Sequence, residues 1–152
     1  MLAPRLQKYL NDNHVDYRTI NHSPAYTAQE IAERAHIPGR RLAKPVILKA
    51  DGKFIMMIET ADTKLDLKKL QQWLNVQKLE LATESEFKEW FPECEVGAMP
   101  PFGNLYSMEV YMDDWLAANE TIAFNAGSHE DLIEMSFQDF ELLVKPKKLH
   151  MH

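Results

Sequence analysis

The chain has 152 residues, 45% hydrophobic and 26% charged, which suits one soluble globular domain with its own core. A net charge of −6 argues against a broad nucleic-acid-binding face, and no apolar run approaches the length of a membrane span. Cys94 is the only cysteine, so an internal disulfide is excluded and a reducing cytoplasm is expected; with scattered histidines it leaves no metal-ligand spacing.

The N-terminal segment lacks the apolar stretch of a secretory signal. Pro4 to about His14 reads as a helix with Leu6, Tyr9 and Leu10 on one face, and Val15 to Ile20 alternates like a short strand. Asn21-His22-Ser23-Pro24 is a turn, in which His22 has a turn-stabilising role. Thr27-Ala28-Gln29-Glu30 forms a capping box, starting a helix to about Ala35 that Ile37-Pro38-Gly39 ends. Ala43–Ala50 and Lys53–Glu59 flank Asp51-Gly52, a hairpin signal, and consecutive Val46, Ile47 and Leu48 predict a strand buried on both faces.

Asp66–Leu74 reads as a helix, Lys78–Leu81 as a short strand, and Thr83-Glu84-Ser85-Glu86 as a second capping box whose helix ends near Phe91-Pro92. Leu105–Met112 is predicted as a strand, Asp113–Leu116 as a helical turn, Thr121–Asn125 and Asp131–Met135 as strands. Ser136 caps a last helix through about Leu143 that Pro146 closes, and His150 and His152 read as a frayed end. Hairpins outnumber clean βαβ units. The expected fold is therefore α+β, with a mixed, distorted, barrel-like sheet and surrounding helices, in a single domain over residues 1–152.

Charge is unevenly spread. Arg34, Arg40, Arg41, Lys44 and Lys49 fall between residues 34 and 50 with no acid, whereas six glutamates face Lys88 between Glu80 and Glu95. The basic stretch could hold a short piece of phosphate backbone, or it is a solvated face. Gly97-Ala98-Met99-Pro100-Pro101-Phe102-Gly103 is the most distinctive segment. Its prolines fix φ near −65° and lack N–H groups, while its glycines permit positive φ and close approach. It is either a turn between a helix and a strand, or a stiff loop whose N–H groups (Gly97, Ala98, Met99, Phe102, Gly103) face a ligand oxygen. No Gly-rich phosphate loop is present.

Three ordered segments carry a resemblance. They are His22–Glu30 followed by Arg41–Leu48, then Val96–Gly103, then Phe124-Asn125-Ala126-Gly127-Ser128-His129. Together they resemble the YbaK/EbsC family, the aminoacyl-tRNA-editing domain that also occurs inserted in bacterial prolyl-tRNA synthetases. The resemblance covers about Leu6 to Pro146. It implies a mixed α/β domain and trans-acting hydrolysis of a mischarged aminoacyl-tRNA ester, with alanyl- or cysteinyl-tRNA for proline as the usual substrates. The family's lysine falls on Lys44, its glycine/proline loop on Gly97 to Gly103, and its small-residue loop on Gly127-Ser128-His129. Pro45, where many members have threonine, and Pro100-Pro101, where better-studied deacylases have serine-proline, depart from the pattern.

Ester hydrolysis needs a positioned water and oxyanion stabilisation, and no protein nucleophile. Cys94 has no evident partner and reads as a small apolar residue, and Ser128 is in no nucleophile elbow. Lys44 and Gly97 are the catalytic candidates, with backbone N–H groups of the loop as oxyanion donors. On residues alone Lys44 is a strand-end lysine; the resemblance turns it into a group that orients the ester or binds the terminal phosphate. Ala98, Met99, Pro100, Pro101, Phe102, Gly103, Gly127, Ser128 and His129 are the candidate substrate-binding residues. His129 is read equally as a pocket residue or a surface loop histidine. Met99 and Phe102 wall a pocket or cover a core, and Thr27 is first a helix cap. Arg40 and Arg41 are candidate tRNA contacts. The partners expected are the tRNA acceptor end and an aminoacyl-tRNA synthetase, with no membrane, DNA, cofactor or metal. The alternative reading is a non-catalytic module of the same fold that binds tRNA, a nucleotide or a synthetase.

Overall fold

The structure is a computed structural model that describes residues 2–152. It contains five α-helices and eight strands in two open sheets. The chain opens with α1 (Pro4–Asp12), where Pro4 sits in the first turn, a position whose N–H has no intrahelical partner in any case. Leu6 and Leu10 are the face it buries. β1 (Tyr17–Asn21) follows, then α2 (Ala28–Ala35), whose Glu30 N–H donates to Oγ of Thr27 at 3.1 Å as the capping box requires.

β2 (Ala43–Ala50) and β3 (Lys53–Thr60) form the expected hairpin, in register from Ala43 opposite Thr60 to Ala50 opposite Lys53. Asp51 and Gly52 both have positive φ, 48° and 82°, the backbone a tight two-residue hairpin turn needs. α3 (Leu67–Leu74), capped by Asp66, and β4 (Leu79–Leu81) come next, then α4 (Glu84–Phe87) with its capping box in place. β5 (Glu109–Asp113), β6 (Thr121–Asn125), β7 (Asp131–Ser136), α5 (Phe137–Val144) and β8 (Lys147–Leu149) complete the order.

One sheet has the order β1-β7-β6, all antiparallel. The other has the order β4-β2-β3-β5-β8 and is mixed: β5 runs parallel to β3 and to β8. The segment between β3 and β5, which carries α3, β4 and α4, supplies the long crossover that a parallel pair needs. A parallel bridge between Leu42 and Ala123 links the two sheets. The curved, barrel-like expectation thus takes the form of two bridged sheets. Between them lies an apolar core centred on Phe102, Phe124 and Phe140, whose ring centroids are 5.4 to 6.1 Å apart.

Two local expectations are corrected. The strand expected from Leu105 starts at Glu109, because Gly103–Tyr106 wind into a 3-10 turn and Ser107 takes φ 61°, which interrupts extended backbone. The C-terminal end is not frayed. β8 adds a strand beside β5, His152 Nε2 lies 2.6 Å from Oδ2 of buried Asp113, and the His152 ring stacks on Trp115 at 3.5 Å. Among the described residues no helix is long and apolar enough to cross a membrane.

Candidate functional site

Three chain segments meet at a cavity of about 170 Å³, lined by Tyr26, Ile31, Leu42, Lys44, Gly97 and Asn125 among others. The first is the start of α2 and of β2. Tyr26 stands just before the cap residue Thr27, and Lys44 is the second residue of β2. The Lys44 ammonium donates to the carbonyl of Thr63 at 3.0 Å, which draws the side chain towards the turn after β3. Its cross-strand neighbour Glu59 is buried and accepts from Oγ of Thr63 at 3.1 Å. Burial is the main cause that holds the Glu59 carboxyl above the ordinary carboxylate range; the charge of Asp113 adds to it, and Lys44 and His152 oppose it.

The second segment is the glycine/proline loop. Gly97 is exposed, has φ 87°, and reaches the cavity. Among the described residues no acceptor takes its N–H. The N–H of Ala98, by contrast, donates to the Glu95 carbonyl at 3.0 Å, so that donor is spent within the loop. Ala98, Met99, Pro100, Pro101, Phe102 and Gly103 are all buried. Phe102 is fully enclosed among Tyr9, Phe124 and Phe140. Gly103 lies so close to β5 that an added Cβ would meet Val110 Cγ2 at 2.8 Å. The diproline therefore carries the chain down into the core, and Gly97 is the part of the loop that the cavity meets.

The third segment follows β6. Asn125, its last residue, lines the cavity with its Oδ1 buried and without a partner. Gly127 takes φ 109°, and its N–H donates to the Ala98 carbonyl at 3.0 Å while its carbonyl accepts from Glu95 N–H at 2.8 Å. These two bonds tie the small-residue loop to the glycine/proline loop. Ser128 is buried; its hydroxyl donates to Asp131 Oδ2 at 2.7 Å and accepts from Asp131 N–H at 3.1 Å, closing a turn. His129 is only 9% exposed. Its Nε2 donates to the carbonyl of Val96 at 2.8 Å, its ring packs on Tyr26 at 4.7 Å between centroids, and its Nδ1 is buried without a partner.

Lys44, Gly97 and the loop carrying His129 therefore converge. Arg40 and Arg41 do not. Arg41 bonds Oγ of Thr121 and pairs with Glu134 at 3.2 Å, so its charge serves the fold, whereas Arg40 is exposed beside a second cavity. Cys94 lies away from the lining, 3.7 Å from the hydroxyl of Tyr106, and burial pushes its thiol up, away from thiolate formation. The cavity's lining includes no carboxylate, and among the described residues no group of three His, Cys, Asp or Glu side chains could hold a metal. Tyr26 and Asn125 are lining residues that sequence reasoning did not single out. Both lie within the segments that carry the family resemblance, and neither residue type marks a site by itself.

A model of the aminoacyl-tRNA editing domain matches residues 22–143. The chain is 29% identical over 143 residues to the prolyl-tRNA editing protein ProX of Acetoanaerobium sticklandii, covering 90% of this chain and 86% of that one. It is 28% identical over 105 residues to the proline–tRNA ligase of Leuconostoc citreum, covering 69% of this chain but only 18% of the ligase. A solved structure described as a candidate trans-editing enzyme for prolyl-tRNA synthetase superposes with TM-score 0.82 at 20% identity, over 98% of this chain and 95% of that chain, a likeness of fold.

Proposed function

The chain belongs to the aminoacyl-tRNA editing domain family, and from that premise we propose that it is a trans-acting aminoacyl-tRNA deacylase, one editing domain over residues 1–152. Its reaction is hydrolysis of the ester that joins a wrong amino acid to the 3′ end of a proline tRNA. Water adds to the ester carbonyl carbon as its first proton passes to bulk solvent, and the carbonyl π electrons move to oxygen. The tetrahedral oxyanion then collapses, the bond to the ribose oxygen breaks, and that oxygen leaves with the water's second proton.

The convergence of Lys44, Gly97 and Asn125 on one cavity is the observation that supports this reading. All three can present N–H donors and the lining includes no acid, which is the chemistry suited to an oxygen that gains negative charge. Gly97 N–H and the Asn125 amide are the oxyanion donors. Lys44, held by the Thr63 carbonyl, supplies positive charge and orients the ester. His129 is a positioning residue that fixes the loop through Val96. At about 170 Å³ the cavity is small beside the roughly 300–1,000 Å³ of drug-sized sites. A small side chain such as that of alanine or cysteine fits it.

The tRNA acceptor end is the partner this chemistry needs, and the cytoplasm is where it is met. A synthetase for proline is the second partner, on the strength of the match to proline–tRNA ligases. Assay of the full chain against a panel of tRNAs, correctly and wrongly charged, tests the reading. Release of alanine or cysteine from proline tRNA, with prolyl-tRNA spared, is expected. Binding without any release would instead fit a non-catalytic module.

A further inference from the structure

A second cavity, of about 430 Å³, takes no part in the reaction described. It is lined by Arg40, Thr60, Asp62, Trp115, Ala118 and Asn119. Arg40 lines it while Leu42, two residues on, lines the first cavity, so one short stretch of backbone, with Cα atoms at most about 7 Å apart, borders both. The turn after β3 braces both: Ala61 N–H donates to the Gly39 and Leu42 carbonyls, and the Thr63 carbonyl holds Lys44.

The chemistry of this cavity is specific. Trp115 is half exposed although His152 covers one side of its indole, leaving aromatic surface to the cavity. The Nδ2 group of Asn119 is spent on the carbonyls of Arg40 and Leu116, at 2.9 and 3.1 Å, which leaves its Oδ1 as an acceptor. The Asp62 carboxylate is exposed and meets no donor or cation among the described residues, a second acceptor. Arg40 adds an exposed cation. A stacking surface, two acceptors and one cation match a nucleobase that carries an exocyclic amino group, with its phosphate on the arginine. Cytosine and adenine have that group; uracil does not.

We propose that this cavity holds an unpaired cytosine or adenine of the tRNA 3′ end while the aminoacyl ester occupies the first cavity. Trp115 stacks on the base, Asp62 and Asn119 Oδ1 accept from its amino group, and Arg40 contacts the adjoining phosphate. The inference rests on the deacylase reading, since it needs the ester and the base to arrive on one strand.

The test is fluorescence anisotropy with short RNA hairpins that end in a 3′ CCA or a 3′ UUU overhang, run beside deacylation of alanyl-tRNA for proline. The wild-type chain is expected to bind the CCA hairpin on the order of tenfold more tightly than the UUU hairpin. Trp115→Ala should lose on the order of tenfold on CCA, Trp115→Phe should keep most of the affinity, and Asp62→Asn should narrow the preference between overhangs. Equal wild-type affinity for the two overhangs, Trp115→Ala binding like wild type, or Trp115→Phe falling as far as alanine each overturns the subsite. If the wild type deacylates alanyl-tRNA but shows one of those results, the subsite alone fails. If it neither deacylates nor binds either hairpin, the deacylase reading fails with it.

Discussion

The imidazole of His129 lies against the α-carbon of Gly97: a methyl group placed there would sit 3.4 Å from His129 Cε1. The same ring donates from Nε2 to the carbonyl of Val96, one residue earlier. One side chain thus sets both the height and the direction of the peptide that offers the Gly97 N–H to the cavity. His129→Ala should lower kcat on the order of 10²-fold by letting this donor drift, with KM changed little. His129→Gln, which can still donate to Val96, should recover part of the loss. Steady-state kinetics on alanyl-tRNA for proline decide it; equal loss in both variants would remove the positioning role.

Asn125 should reveal whether the cavity gathers donors. As an oxyanion donor, Asn125→Ala should cost about 10²–10³ in kcat and leave substrate affinity nearly unchanged. Asn125→Asp should be worse than alanine, because a carboxylate would repel the developing charge. If Asn125 instead accepted from the substrate's ammonium group, the aspartate variant would retain or gain activity. The order of the two variants in single-turnover assays settles the role.

Phe102 lies in the glycine/proline loop yet is fully buried among aromatic rings. Phe102→Ala should therefore destabilise the fold by about 3–5 kcal/mol, measured by urea unfolding. Activity lost at unchanged stability would instead make Phe102 a substrate contact.

Glu59 gives a pH-dependent stability. Burial holds its folded-state pKa above the unfolded value, with the Asp113 charge acting in the same sense. A raised carboxyl contributes stability that is fully present below the unfolded pKa and lost as pH rises through the folded one. Glu59→Gln removes that loss. The melting temperature of the variant relative to wild type should accordingly rise between about pH 4 and pH 8. A difference that stays constant over this range would contradict the assignment.

Much of the fold is legible in the sequence wherever local chemistry decides. Asp51-Gly52 specifies its hairpin because both residues tolerate positive φ; Thr27 and Ser136 start their helices because their hydroxyls accept from orphan N–H groups, and Thr83 does so through Glu86, whose carboxylate accepts from the Thr83 N–H. The strand β8 is not legible, since Lys-Lys-Leu has neither length nor alternation and forms only because β5 offers it an edge. His152 likewise looks terminal in the sequence, yet Asp113 and Trp115 hold it. In the candidate site, the family resemblance, not the residue types themselves, points to Lys44, Gly97 and His129; Lys44 and Gly97 line one cavity and the His129 ring lies against Gly97. Met99 to Gly103 look like loop by their Pro/Gly content, but their burial depends on distant Phe124, Phe140 and Val110, which no local pattern announces. Asn125 could not be found locally, because only the unpartnered state of its buried oxygen marks it.

Lys44 offers the most direct test of the account. Lys44 is only partly buried, at the start of β2, and its ammonium's one hydrogen bond among the described residues is to the Thr63 carbonyl, so Lys44→Ala should stay folded, which its melting temperature checks. Single-turnover release of alanine from alanyl-tRNA for proline should be fast with the wild-type chain and fall to the uncatalysed rate with Lys44→Ala. Turnover in a folded Lys44→Ala variant equal to that of wild type would contradict the site built on Lys44, Gly97 and Asn125.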